Sequence, residues 1–293
     1  MKVMNQATGD GFALYHGDCV EVLEGLPERS IDYSIFSPPF ASLYTYSNSP
    51  RDMGNCRNDA EFFEHFGHLI RQLVRVMKPG RNVSFHCMLM PTSKERDGYI
   101  GLRDFRGDLI RAFQAEGFIY ASEVCIWKDP VTAMQRTKAL GLLHKTVRGN
   151  AAMSRQGIPD YLVTMRAPGD SDPADRVKHS DEDYPVSKWQ QVASPVWTDI
   201  NPSDTLQFRS AREHDDERHI CPLQLEVIRR GVDLWTNLGD IVLSPFAGIG
   251  SEGYVSLQMG RRFIGAELKE SYYGQAARNL QAALSQGGLF EAA

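Results

Sequence analysis

The chain has 293 residues, with 32 Lys and Arg against 37 Asp and Glu and a net charge of -5, and 42% of it is hydrophobic. That balance excludes a disordered chain and a globally basic nucleic-acid binder, so any surface for a polyanion has to be local. The five cysteines, Cys19, Cys56, Cys87, Cys125 and Cys221, are scattered and form no C-x-x-C pair, which speaks against a disulfide framework or a cysteine-rich metal site and for a reducing, cytoplasmic setting. No apolar run is long enough to cross a bilayer.

In chain order, Phe12 to Tyr15 predict a short strand running into His16-Gly17-Asp18, and Val20 to Leu26 a helix closed by Pro27. Ile31 to Phe36 are β-branched and aromatic, and this strand stops at Ser37-Pro38-Pro39-Phe40 because proline cannot donate to a ladder. Leu43 to Asn58 are polar and predict a loop. Phe62, Phe66, Leu69, Leu73 and Met77 recur at helical spacing, with a stop at Lys78-Pro79-Gly80. Asn82 to Leu89 predict a strand, Leu102 to Glu116 a helix, and Phe118 to Trp127 another strand. Such alternation implies a parallel sheet with crossover helices.

The alternation breaks at Lys128. A basic, weakly periodic segment runs to Gly157, Ile158 to Arg166 suggest one more strand, and Pro168 to Pro185 form an acidic stretch expected to be a poorly ordered loop. The pattern resumes with a helix over Leu223 to Trp235, the strand Ile241 to Leu243, a glycine loop, a helix, the strand Arg262 to Ala266, and a last helix from Ser271 to about Leu284.

The glycine loop contains Gly248-Ile249-Gly250-Ser251-Glu252-Gly253, a G-x-G-x-x-G, with Glu267 downstream. On paper that is a dinucleotide fingerprint, and an NAD-dependent oxidoreductase is one alternative reading. Two features weigh against it. Only twenty-six residues follow Glu267, so the remaining strands of the sheet must come from sequence that precedes the loop, in permuted order. Glu252 also sits in the turn, where a carboxylate is unfavourable beside a pyrophosphate and favourable beside a cation. S-adenosylmethionine offers an ammonium and a sulfonium, and a ribose diol for Glu267.

Ser37-Pro38-Pro39-Phe40 supplies the second motif. It ends a parallel strand, where open α/β sheets place their ligands. Its stiff carbonyls, the Ser37 hydroxyl and the Phe40 ring suit one task, gripping a planar heterocycle by an exocyclic amine. A plain proline turn and a plain glycine turn are the bland alternatives; two such motifs at strand ends in one chain make coincidence less plausible.

Together these residues resemble the S-adenosylmethionine-dependent DNA amino-methyltransferases in the β-type motif order, with Ser-Pro-Pro-Phe first, then a target-recognition insert, then the cofactor loop. The resemblance implies a Rossmann-like α/β sheet in permuted order with helices on both faces. It divides the chain into a catalytic half over 1–127, a recognition insert over 128–216 carrying the flexible acidic loop 168–185, and a cofactor-binding half over 217–293. By position it implies that Ser37, Pro38, Pro39 and Phe40 are catalytic. Asp18 would hold the adenine amine of the cofactor, with Cys19 in backbone contact. RHICPLQLEVI, with His219 and Pro222, looks like the lead into the cofactor loop; Phe246, Ala247, Gly248, Gly250, Ser251 and Glu252 look like the loop itself, and Glu267 like its ribose-binding acid. Ser244 stands where the family often has an acid, and that acid has moved into the loop as Glu252.

The implied chemistry is direct. Ser37 and the Pro38 carbonyl accept the amine N–H groups, the freed lone pair attacks the methyl group in line, and no covalent enzyme intermediate forms. The base would be flipped out of duplex DNA and stacked on Phe40. Ring-carbon methylation would need an activated cysteine, and Cys221-Pro222 reads better as a small buried thiol. Serine can accept from adenine N6 or cytosine N4 alike, so the residues leave the base open.

Double-stranded DNA is the implied partner, with a homodimer a further possibility. Lys128, Arg136, Lys138, Lys145, Arg148, Arg155 and Arg166 face only Asp129 and Asp160 over their stretch, the pattern of a phosphate-tracking surface. Gln135 or Gln156 could read base edges. Tyr44 and Arg51, on the loop after the tetrapeptide, are expected to close over the flipped base. His144 reads as exposed, and no metal site is expected. A solvated basic face, and a catalytically silent DNA-binding module, are the alternatives.

Overall fold

A computed structural model describes residues 2–40, 52–137, 139–207 and 222–290. Its strands are β1 (Asn5–Gly9), β2 (Phe12–His16), β3 (Ile31–Phe36), β4 (Met77–Met88), β5 (Met90–Pro91), β6 (Leu102–Arg103), β7 (Ile119–Ile126), β8 (Asp160–Arg166), β9 (Val196–Trp197), β10 (Ile241–Ser244) and β11 (Arg262–Glu267). Its helices are α1 (Cys19–Glu24), α2 (Asp59–Val76), α3 (Lys94–Asp97), α4 (Phe105–Ala115), α5 (Pro130–Thr137), α6 (His144–Asn150), α7 (Val186–Ala193), α8 (Leu225–Trp235), α9 (Ser251–Gln258) and α10 (Glu270–Phe290).

The described residues build one nine-stranded sheet in the order β1-β2-β11-β10-β3-β4-β8-β7-β9, with β5 and β6 paired apart from it. The five strands from β2 to β4 run parallel. Helices cover both faces. Val22 and Leu23 of α1, Phe62, Phe66 and Leu73 of α2, and Phe113 of α4 pack in one core. Val227, Ile228 and Val232 of α8, Val255 of α9, and Leu280 of α10 pack in the other. Helix α2 keeps one apolar face and is capped by Asn58, whose side chain accepts the Glu61 N–H at 3.0 Å.

The order places a switch point at the centre. From β10 the chain crosses to β11 on one side; from β3 it crosses to β4 on the other, while β10 and β3 are themselves paired. In an open parallel sheet that is where the crevice forms.

Three expectations change. The sheet is mixed, because β8 runs antiparallel between β4 and β7, and β1 runs antiparallel to β2. β1, which the sequence did not predict, lacks apolar alternation and is mostly exposed. Helix α2 ends at Val76, just before Lys78-Pro79-Gly80 as expected, but β4 begins at Met77 rather than Asn82, with a register shift against β3. The helix expected from Leu102 starts at Phe105, because Leu102 and Arg103 pair with β5 and Asp104 caps the helix through the Gly107 N–H.

β8 and β9 lie within 128–216 and are strands of the main sheet. Residues of the acidic stretch contact the rest of the fold. Lys78 Nζ donates to Asp175 at 2.7 Å, Arg81 donates to the Asp175 carbonyl, and His179 Nε2 lies 3.1 Å from the Leu234 carbonyl oxygen. The contacts are ionic: Lys78 and Arg81 pair with Asp32, Asp175 and Asp240 at the end of the central strands opposite the crevice.

Candidate active site

Two turns leave the switch point side by side. β3 is buried along its whole length and ends at Phe36, after which Pro38 and Pro39 offer no N–H to pair. β3 and β4 run in register at Phe36 and Phe85, which brings Ser37 beside His86. The Ser37 Oγ lies 3.2 Å from His86 Nδ1. The half-buried Phe40 packs its ring 6.2 Å from that of Phe105 on α4.

β10 ends at Ser244 and turns through Pro245-Phe246-Ala247. Gly248 and Gly250 hold φ of 53° and 85°, which side chains resist. The third glycine acts differently: a Cβ on Gly253 would stand 2.5 Å from both Leu280 and Phe263, so Gly253 lets α9 close on β11 and α10. The three glycines therefore serve two turns and one close packing.

Both turns line one cavity of about 1110 Å³, open to solvent. Ser37, Pro38, Pro39 and Phe40 line it from β3; Phe246, Ala247, Gly248, Ser251 and Glu252 from the glycine loop; Asp18, Cys19 and Glu267 from the ends of β2 and β11. Gly250 shapes the loop without lining the cavity.

The electrostatics suit a cation, which would favour the charged form of carboxyls that burial keeps protonated. Glu252 is buried, and desolvation with nearby Glu267 pushes its carboxyl from an ordinary 4.5 up to about 8. Burial likewise raises Glu267 to about 7, although the backbone N–H groups of Lys269 and Gly248 favour its charge. Ser251 Oγ is buried without a hydrogen-bond partner. Asp18 caps α1, its Oδ1 accepting the N–H groups of Val20 and Glu21 at 2.9 and 3.2 Å. The Cys19 thiol is driven well above its usual range by burial, which leaves its backbone as the useful part. A buried carboxyl, a half-buried one and an unsatisfied hydroxyl fit a ligand with positive charge and polar edges.

The expected DNA contacts divide. Tyr44, Arg51 and Lys138 lie outside the described residues, as does the side chain of Arg136; His219 and Cys221, expected before the cofactor loop, lie outside them too. Lys145 and Arg148 are exposed on α6. Lys128 donates to the buried Asp160, and Arg155 donates to the Gln156 carbonyl at 3.0 Å, with burial lowering its pKa. Lys128 and Arg155 line a second hollow of about 930 Å³ at the ends of β4 and β7.

Sequence reasoning missed Asp52, Met53, Leu223, Ile249 and Tyr272, which also line the main cavity. Tyr272 opens the last helix and receives the Lys269 ammonium over its ring at 4.4 Å. His86 was missed too, because on the sequence it is one residue of a predicted strand that carries no motif.

A family model described as DNA methylase, of N6 and N4 methyltransferases, matches residues 31–278. The chain belongs to the DNA methylase family. Among its relatives is the Type II methyltransferase M.BglII of Bacillus subtilis, 25% identical over 264 residues. The match covers 88% of this chain and 66% of that relative, so the chain spans just under two thirds of the relative's length. TTHA0409 of Thermus thermophilus, in complex with S-adenosyl-L-methionine, superposes with a TM-score of 0.67 at 21% identity, over 92% of this chain and 93% of that one. PvuII DNA methyltransferase, cytosine-N4-specific, superposes with a TM-score of 0.66 at 16% identity, over 98% and 96%. At these identities the likeness is one of fold, a Rossmann-like methyltransferase sheet. The chain carries Ser-Pro-Pro-Phe far ahead of its glycine loop, yet both reach one crevice because β3 and β10 are neighbours.

Proposed function

We propose that this DNA methylase transfers a methyl group from S-adenosylmethionine to the exocyclic amine of an adenine or cytosine flipped out of duplex DNA. One observation carries the reading: Ser37 to Phe40 and the loop from Phe246 to Glu252 line the same cavity at the switch point of the sheet. When bound, the cofactor supplies a methyl group on a cationic sulfur.

The residues present fit it. Glu252 meets the ammonium end, Glu267 the ribose diol, Asp18 the adenine amine, and Ser251 Oγ gains a partner. A dinucleotide fits less well, since its pyrophosphate would share the loop with two carboxylates. Glu267 also accepts the Gly248 N–H, one of the donors a pyrophosphate would use.

Ser37 Oγ and the Pro38 carbonyl accept hydrogen bonds from the base amine and draw its lone pair out of conjugation with the ring. Pro38 and Pro39 hold these acceptors without a rotamer to lose, so the stabilisation is preorganised. Phe40 offers a face on which the extruded base stacks, offsetting part of the few kcal/mol that flipping costs. Lys145 and Arg148, with Arg136 and Lys138, track phosphates, and the segment 128–216 reads the sequence around the target.

The test uses methyl-labelled S-adenosylmethionine and duplex DNA of mixed sequence, digested to nucleosides and read by mass spectrometry. Either N6-methyladenine or N4-methylcytosine is expected, and Ser37→Ala should lower the rate about 10²-fold. A protein that binds the cofactor yet leaves every duplex unlabelled would sink the reading.

A further inference from the structure

The wall of the cavity behind Ser37 continues as a chain of polar groups. Ser37 Oγ lies 3.2 Å from His86 Nδ1. On the far side of the ring, His86 Nε2 lies 3.0 Å from Asp160 Oδ2, off the line of a straight hydrogen bond. Asp160 Oδ1 accepts from Lys128 Nζ. The links come from the turn after β3, from β4, from β8 and from the residue region after β7, so four separate parts of the chain converge.

We infer that His86, held by Asp160, fixes the Ser37 hydroxyl with its proton toward the ring and takes up the proton that the base amine releases. The inference rests on the proposed amine methylation and assigns its proton path.

The geometry leaves little freedom. Asp160 is 2% exposed and sits between a ring nitrogen and an ammonium group. Burial works against its charge, but His86 and Lys128 outweigh it and hold the carboxyl below its ordinary range. A carboxylate at that place calls for the proton on His86 Nε2, which leaves Nδ1 with a lone pair. Nδ1 can then only accept from Ser37. The hydroxyl proton therefore points away from the cavity, and the oxygen lone pairs point toward the amine.

The step balances. The amine lone pair forms the new N–C bond while the S–C bond breaks, its electrons staying on sulfur, which becomes a neutral thioether. The methylated nitrogen passes one proton to Ser37 Oγ as the hydroxyl proton moves to His86 Nδ1. The resulting imidazolium lies against Asp160, and its proton later returns to solvent. A buried ion pair adds little to stability by itself, so the chain has no evident purpose for the fold.

The experiment combines spectroscopy and kinetics on the full chain. Nitrogen-15 spectra of the protein without cofactor should show His86 protonated at Nε2 and accepting at Nδ1, with the Nδ1 signal moving in Ser37→Ala. In single-turnover methyl transfer, His86→Leu should slow the step about 10²-fold, with the Kd for S-adenosylmethionine and for DNA changed less than about twofold. His86→Asn, whose side-chain oxygen reaches toward the place of Nδ1, should recover at least about tenfold of the loss. A ring protonated at Nδ1, a His86→Leu rate near that of the wild type, or equal losses in both variants would each overturn the inference while leaving the functional reading intact. The spectra decide the matter even if His86→Leu fails to fold. A wild-type protein that methylates no DNA overturns both readings.

Discussion

Glu267 Oε2 accepts the backbone N–H of Gly248 at 2.8 Å, across nineteen residues of sequence. Its other oxygen accepts the Lys269 N–H at 2.8 Å. The end of β11 is thus tied to the first glycine of the loop, and the carboxylate that would meet the ribose also shapes the turn beside it. Glu267→Ala removes both acceptors. We expect a loss of about 1–3 kcal/mol in urea unfolding, from N–H groups left without partners. S-adenosylmethionine affinity should fall at least about tenfold in calorimetry, an effect of about 1.4 kcal/mol.

Glu252 makes cofactor binding and stability depend on pH in opposite directions. Its carboxyl rises on folding from 4.5 to about 8, so the folded chain holds the proton more tightly than the unfolded one. Stability of the cofactor-free protein should therefore fall as pH rises from about 4.5 to about 8 and then level off. Glu267, raised to about 7, acts in the same direction over a narrower window. A cationic ligand needs the charged forms, so affinity should increase from pH 6 to about 8 with release of protons. Titration calorimetry in buffers of different ionisation enthalpy measures that release. Glu252→Gln should flatten the melting-temperature profile and weaken binding; an unchanged proton count in this variant would contradict the assignment.

The glycines of the loop separate packing from binding. Gly253→Ala drives a methyl group toward Leu280 and Phe263, both 2.5 Å from the new carbon. Overpacking of this kind costs about 1–3 kcal/mol. Gly253 does not line the cavity, so cofactor affinity in the folded fraction should change less than about threefold. Gly248→Ala, at φ 53°, instead strains the turn that lines the cavity, and both stability and affinity should drop.

Lys145 and Arg148 are exposed on one short helix. Replacing both by alanine should weaken duplex DNA binding uniformly across sequences and lower the slope of log K against log salt by about 2. Fluorescence anisotropy at several salt concentrations reads this directly. An unchanged slope would remove α6 from the phosphate-tracking surface.

Much of the site was legible because its chemistry is written in short runs. Ser37 to Phe40 and Gly248 to Gly253 each declare a turn at a strand end, since proline cannot pair and only glycine adopts the required φ. Helix α2 and strand β3 were legible from periodicity and β-branching, for the same local reason. β1 was not, because a mostly exposed strand has no apolar alternation to betray it. β8 was seen as a strand but not as an antiparallel partner of β4, because period-2 alternation carries no direction.

The amino-acid sequence alone determined the two turns, the order in which they occur and the α/β class, since each follows from residues within a few positions of one another. Only the tertiary structure decided that His86 and Asp160 stand behind Ser37, that Glu252 and Glu267 share one cavity, and that Lys128 is committed to a buried carboxylate. Most of those relationships join residues tens of positions apart or more. Which strand lies beside which is settled by long-range pairing and burial across the whole sheet, and no local pattern encodes it.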